Sequence, residues 1–332
     1  YKYSGSSWDQ LGVNITGDAV GDKFGYIVSL SSDGNILAVG TPTNDNIGYV
    51  QIYKYSGSSW DQLGVNITGD TEDEQFGYSV SLSSDGSRIA IGAYKKNVDD
   101  ILKLGLVRVY NYSSSSSLWV QLGSDIYGKA EGDYFGYSVS LSSDGNILAV
   151  GAPSINYHIG YVKIYKYSDS SWEPLGQDIN GDDEDEQFGH IVSLSSDGNI
   201  LAVGAPYNDD SGNNSGKVSI YKYNDSSWEP LGSNIIGEQG DKLGYSVSLS
   251  SDGNHLAAGA PYHNNDNLTD CGIVRLYQLS NINIFENETK YRYLKFVYVS
   301  DNDNVNVSNW DIDLLSSDTA NIPVYKDRMY LM

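Results

Sequence analysis

Residues 24–40 read Phe24-Gly25-Tyr26-Ile27-Val28-Ser29-Leu30-Ser31-Ser32-Asp33-Gly34-Asn35-Ile36-Leu37-Ala38-Val39-Gly40. Phe24, Tyr26, Val28 and Leu30 share one face at a period of two, the alternation of a β-strand, with the small Gly25 and Ser29 on the other. Asp33-Gly34 then marks a hairpin turn, since these residues tolerate the positive φ such turns need, and Ile36 to Gly40 is the returning strand. The passage recurs. Ser-Ser-Asp-Gly ends at Gly34, Gly86, Gly145, Gly198 and Gly253, and the Trp of Trp-x-x-Leu-Gly stands at Trp8, Trp60, Trp119, Trp172 and Trp228. Residues 1–16 return unchanged at 53–68.

Steps of 52 to 59 residues between successive tryptophans suit one four-stranded supersecondary unit, the usual length of a propeller blade. The third strand of the first unit is Gly48 to Tyr55, and a Ser-rich turn leads to a fourth at Trp60. Large side chains occupy both faces of these strands, which fits blades packed on both sides better than a sheet with one wet face or a linear β-solenoid. The expected fold is therefore all-β: a propeller of five four-stranded blades over residues 1–280, followed by a short β-rich segment, 281–332. The fifth unit, Leu243 to Leu279, lacks a Trp strand, whereas residues 8–15 form one with no partner before it. This predicts that the N-terminal strand completes the last blade by pairing with 273–279, which would remove the exposed edges.

Four units open on Phe-Gly (Phe24-Gly25, Phe76-Gly77, Phe135-Gly136, Phe188-Gly189). Three carry Gly-Ala-Pro after the second strand (Gly151-Ala152-Pro153, Gly204-Ala205-Pro206, Gly259-Ala260-Pro261). These paired motifs resemble the FG-GAP repeat of integrin α-subunit propellers, and the resemblance implies a propeller with a role in adhesion. It departs in having five units against seven. The family's calcium loops are degenerate here: the matching positions of the first unit, Ser29, Ser31, Asp33 and Leu37, keep one carboxylate. Calcium wants six to eight oxygens, so the family's metal sites are not carried over.

Composition narrows the function. A charge of −23 from 20 basic and 43 acidic residues disfavours nucleic acid and anionic membrane as partners. No apolar run is long enough to cross a bilayer, so direct membrane insertion is not expected. One cysteine, Cys271, rules out an internal disulfide framework and reads as an unpaired thiol in its loop. Tyr1 falls inside a repeat and no signal peptide is seen, so the chain reads as mature or fragmentary.

In a four-stranded blade the loop entering strand one and the loop between strands two and three share a face. Two residues before each Phe-Gly or Leu-Gly stands an acid: Asp22, Glu74, Asp133, Glu186 and Asp241. Together they would ring the channel mouth, where close like charges raise one another's pKa or recruit a weakly bound divalent cation. The alternative is that each accepts backbone N–H groups at the turn into strand one. No cofactor is otherwise required. The variable loops of this face hold Tyr157, His158, Tyr207, Tyr262 and His263, candidates for recognising a protein or glycan at a surface. Glycosylation candidates are Asn111, Asn213, Asn224, Asn267, Asn287 and Asn306, each in an Asn-x-Ser/Thr triplet.

No nucleophile–His–carboxylate spacing or phosphate loop stands out, and no catalytic residue is assigned. The expectation is a non-enzymatic extracellular glycoprotein, a structural or cell-adhesion module for surface recognition or assembly, with self-assembly through residues 281–332. The alternative is a carbohydrate-processing enzyme, similar to five-bladed glycosidases, using the carboxylates of the mouth.

Overall fold

The structure, a computed structural model, describes residues 1–43, 47–154, 159–265 and 268–279. All regular elements among them are strands. They build a five-bladed β-propeller. Blade one runs Ile27–Leu30, Ile36–Thr41, Tyr49–Tyr55 and Trp60–Gln62 from the axis outward, each strand antiparallel to the last. Blade two begins at Ser79–Leu82, blade three at Ser138–Leu141, blade four at Ile191–Leu194 and blade five at Ser246–Leu249. The outer strand of blade one is broken: Trp60–Gln62 and Ile67–Thr68 both pair with Tyr49–Tyr55. The break falls at Leu63-Gly64, where Gly64 takes a φ of +82° that a side chain would resist. The repeated Trp-x-x-Leu-Gly is thus the bulge of the outer strand.

The small residues on the second face of the inner strand seal one blade to the next. Leu82, Leu141, Leu194 and Leu249 each donate a backbone N–H to a serine of the preceding blade (Ser29, Ser81, Ser140, Ser193), all at 3.0 Å. The Phe-Gly and Gly-Ala motifs meet across the same seams. A Cβ on Gly40, Gly92, Gly151 or Gly204 would lie 2.0–2.2 Å from the carbonyl oxygen of Gly77, Gly136, Gly189 or Gly244 in the following blade. Only two glycines allow that backbone approach. One apolar cluster fills each of these four seams, with Phe76, Phe135, Phe188 and Leu243 fully buried.

The fifth seam is different, and here the expected closure is corrected. Residues 8–15 do not pair with 273–279. Trp8–Asp9 pairs instead with Lys2–Tyr3, and Ile273–Gln278 pairs, among the described residues, with His255–Ala260 alone. The reason lies in the repeat. Residues 1–16 match 53–68 and therefore carry third-strand as well as fourth-strand sequence. The two fold back on each other across a short loop, a cheaper closure than pairing with a strand more than 260 residues away in sequence. Blade five consequently has three strands among the described residues. The boundary near 280 and the segment 281–332 lie outside the described residues.

Candidate functional site

Each Phe-Gly turn delivers the next residue to the axis. Those residues are Tyr26, Tyr78, Tyr137, His190 and Tyr245, and they form an arc of rings with successive centroids 5.1, 4.9, 5.0 and 5.1 Å apart. Tyr94 lies against this arc, 4.3 Å from Tyr78 and 5.2 Å from Tyr137, and Tyr134 stacks on Tyr94. Beside it Lys242 sits over two rings of the variable loops, 4.4 Å from Tyr207 and 4.6 Å from Tyr262. At the far end of the inner strands is a cavity of about 140 Å³ lined by leucines and serines of all five blades, Leu30 and Leu249 among them.

Burial holds the Tyr78 and Tyr137 hydroxyls protonated, their pKa raised well above that of a free phenol. Tyr78 is raised further by hydrogen bonding with Tyr137 and Tyr26. These phenols are hydrogen-bond donors throughout the ordinary pH range. His190 stands apart. It is 8% exposed, and its Nδ1 is buried with no hydrogen-bond partner. Burial, with Lys242 adding to it, lowers its pKa to about 4, so the imidazole is neutral.

The sequence reading missed this arc. It has Tyr26 on a strand face with Phe24 and assigns no role to His190. Aligning the repeats on Phe-Gly would have revealed that the fourth unit has His190 where the others have tyrosine.

The five acids of the expected mouth ring are buried, and each is spoken for. Every one accepts a backbone N–H from its own turn: Ala19 to Asp22, Asp70 to Glu74, Lys129 and Ala130 to Asp133, Asp182 to Glu186, and Glu238 to Asp241, at 2.7–3.0 Å. Each then takes a side-chain partner from elsewhere in its blade. Tyr49 and Tyr161 donate their hydroxyls to Asp22 and Asp133, at 3.0 and 2.7 Å. Burial and then Asp22 push the Tyr49 pKa up to about 12. Lys96 reaches Glu74 and Lys217 reaches Glu186, both at 2.7 Å, while His263 and Arg275 approach Asp241. Among the described residues no three His, Cys, Asp or Glu side chains come together to hold a metal. The ring is therefore a set of five separate turn braces, the backbone N–H alternative drawn from the sequence. In the degenerate calcium loops, Asp33 likewise spends its carboxylate on Ser31 Oγ and Asn35 N, which lower its pKa to about 2.

Of the expected recognition residues, Tyr207 and Tyr262 flank Lys242 and His263 is bound to Asp241, while Tyr157 and His158 lie outside the described residues. Asn213 and Asn224 are exposed, and Asn111 is partly covered within the third strand of blade two. Asn224 uses its side-chain oxygen to cap the turn at Ser226 and Ser227. Asn267, Asn287 and Asn306 lie outside the described residues. Cys271 is an exposed free thiol whose Sγ donates to His263 O at 3.2 Å.

The blades and their glycine-sealed seams define an FG-GAP-like β-propeller. In sequence, residues 180–221 match the FG-GAP repeat family. No curated protein matches the chain. Among solved structures it is similar to the periplasmic gluconolactonase PpgL of Pseudomonas aeruginosa, at 18% identity over 80% of this chain and 68% of that one, TM-score 0.51. A Bacteroides uniformis protein proposed to be a 6-phosphogluconolactonase aligns at 12% identity over 76% of this chain and 80% of that one, TM-score 0.48. Saccharomyces cerevisiae Sqt1 aligns at 16% over 77% and 61%, TM-score 0.46.

These identities speak to fold. They also correct the expectation of a non-enzymatic structural or adhesion module. The architecture that carried that reading is shared with a gluconolactonase, so the fold does not single out a structural or adhesion role.

Proposed function

We propose that the chain is a carbohydrate-processing enzyme that opens a sugar-derived lactone at the aromatic arc. The observation that carries this reading is His190, a single neutral imidazole with an unpartnered nitrogen where the other four blades place tyrosine. An active site breaks the symmetry of a repeated scaffold, and this is where the arc breaks. The likeness in fold to a periplasmic gluconolactonase supports the substrate class. A glycosidase mechanism is the weaker form of the alternative, because it needs two free carboxylates and those of the mouth are bound within their turns.

In this reading the sugar lies against the tyrosine rings, an apolar platform with few polar groups to orient it. Water attacks the lactone carbonyl. As its oxygen bonds to carbon, His190 takes its proton, and the ring C–O bond breaks with that proton passing to the departing ring oxygen. The hydroxyls of Tyr78 and Tyr137, with the charge of Lys242, stabilise the oxyanion formed on the way. No metal or redox partner is required.

The test is hydrolysis of glucono-δ-lactone followed in a pH-stat, against the spontaneous rate. The wild-type protein should accelerate it, with His190→Phe losing about 10²-fold or more of that gain. The enzymatic rate should rise as pH climbs through about 4, where His190 loses its proton, and then level off. A wild-type rate equal to the spontaneous one across sugar lactones would overturn the proposal.

A further inference from the structure

Four indoles sit in fixed seats, three across sealed seams and the first, Trp60, against the N-terminal hairpin. Trp60 Nε1 donates to Leu11 O at 3.0 Å, Trp119 to Leu63 O at 2.8 Å, Trp172 to Leu122 O at 2.8 Å and Trp228 to Leu175 O at 2.9 Å. The glycine after each leucine lies under the indole, and each Trp pairs with a tyrosine of its own blade at 5.2–5.3 Å. The fifth seat, at Leu231, has no indole among the described residues. A cavity of about 420 Å³ lies there instead, its lining mostly polar (Asp197, Asn199, Lys222, Asp225 and Asp252) with Leu231 and Leu279 among it. Leu279 occupies the position of the stacking tyrosine, and beside it the outer edge of Ile273–Gln278 has no partner strand among the described residues.

A strand made for this seat is present elsewhere on the molecule. Residues 8–12, Trp-Asp-Gln-Leu-Gly, are identical to 60–64, the start of the outer strand of blade one. Trp8 is 68% exposed, and its strand is held only by the two residues of Lys2–Tyr3. We propose that the outer edge of blade five is a docking site for the Trp8–Gly12 strand of a second copy of this chain. Blade two sets the register: Tyr112 pairs with Trp119 and Asn111 with Val120, which places Leu279 opposite the incoming Trp8 and Gln278 opposite Asp9.

The same approach brings together two open faces. Val274 and Leu276 of one copy meet Val28 and Leu30 of the other, the positions that seal each internal seam. In this structure the chain's own Trp8–Asp9 strand does not pair with blade five, so a second copy is the occupant, and its Trp8 and Asp9 exchange Tyr3 and Lys2 for Leu279 and Gln278 on docking. The two surfaces differ, so the contact is head-to-tail. Both copies are strongly acidic, so it tightens as salt screens their repulsion.

Sedimentation equilibrium of the full chain over a concentration series at 0.5 M salt tests this. The wild type should show a mass rising with concentration, and Trp8→Ala should weaken association at least tenfold with an unchanged melting curve, since Trp8 packs in no core. A companion variant, Asp9→Cys with Gln278→Cys in a Cys271→Ser background, should give disulfide-linked multimers on oxidation. A fast-migrating monomer, meaning the chain's own strand has crossed to blade five, would overturn the inference. So would a wild-type mass of one copy at every concentration.

Discussion

Val50 and Ile52 on the third strand of blade one are 0% and 1% exposed, while Val274 and Leu276, at the same positions of blade five, are 66% and 71% exposed. The strands are of one kind, Tyr-Val-Gln-Ile-Tyr against Ile-Val-Arg-Leu-Tyr, and both pair with a second strand in the same register. What differs is the next blade. Blade two covers the first strand with Val80 and Leu82, whereas nothing among the described residues covers the second. The glycines repeat the contrast. Gly40, Gly92, Gly151 and Gly204 are pressed against the backbone of the following blade, while the nearest neighbours of Gly259 are atoms of Ser246 in its own blade. A propeller residue is thus stabilised less by its own sheet than by its neighbour's face.

The sharpest way to break this comparison is to cut the same position on both sides of it. Ile52→Ala should lower stability by about 2–5 kcal/mol through lost burial and a cavity, whereas Leu276→Ala should stay within about 0.5 kcal/mol. Chemical denaturation measures both, and equal losses would mean the fifth seam is closed in solution.

Acidity probes the sealed interior next. His190 has a folded pKa of about 4, below its unfolded value, so the unfolded chain binds the extra proton as pH falls from about 6.5 toward 4. Stability contributed by keeping it neutral is complete above that window and lost within it, roughly 3 kcal/mol in all. His190→Phe should flatten that part of the stability–pH curve, and an unchanged slope would show that His190 is solvated.

The smallest effect is expected at the glycines. Gly151→Ala should cost roughly 1–3 kcal/mol because its methyl meets the Gly189 carbonyl, while Gly259→Ala need only displace the Ser246 hydroxyl. Thermal melts of the two variants compare them directly.

Much of this molecule was legible from local signals. Strand alternation in 24–30, the Asp33-Gly34 turn and the Trp-x-x-Leu-Gly beat are relations between residues a few places apart, and five copies of them specify blades. The acidic position before Phe-Gly or Leu-Gly was equally visible, and so was its local N–H role, but not its second partner. Backbone N–H groups three or four residues away bind each carboxylate locally, while its second partner arrives from 20 to 35 residues off and is a different group from blade to blade: Tyr49, Lys96, Tyr161, Lys217, then His263 with Arg275. A column of like charges allowed two readings in the sequence, a cation site or carboxylates bound by the N–H groups of their own turns. With those partners in place it is five braces.

The sequence by itself determined the unit: four strands, a glycine at each seam, an indole at each outer bulge. These follow from φ preference and side-chain alternation, which act over neighbours in the chain. The tertiary structure alone decided which seams close and what gathers on the axis. His190 became the odd member of an aromatic arc only when four Phe-Gly turns and one Leu-Gly turn, each more than fifty residues from the next, converged on one line. Closure depends on the rotation from each blade to the next accumulated around the axis, so a small deviation at every seam collects in the last one. No single repeat encodes that sum, and residues that read alike can end buried in one blade and bare in another.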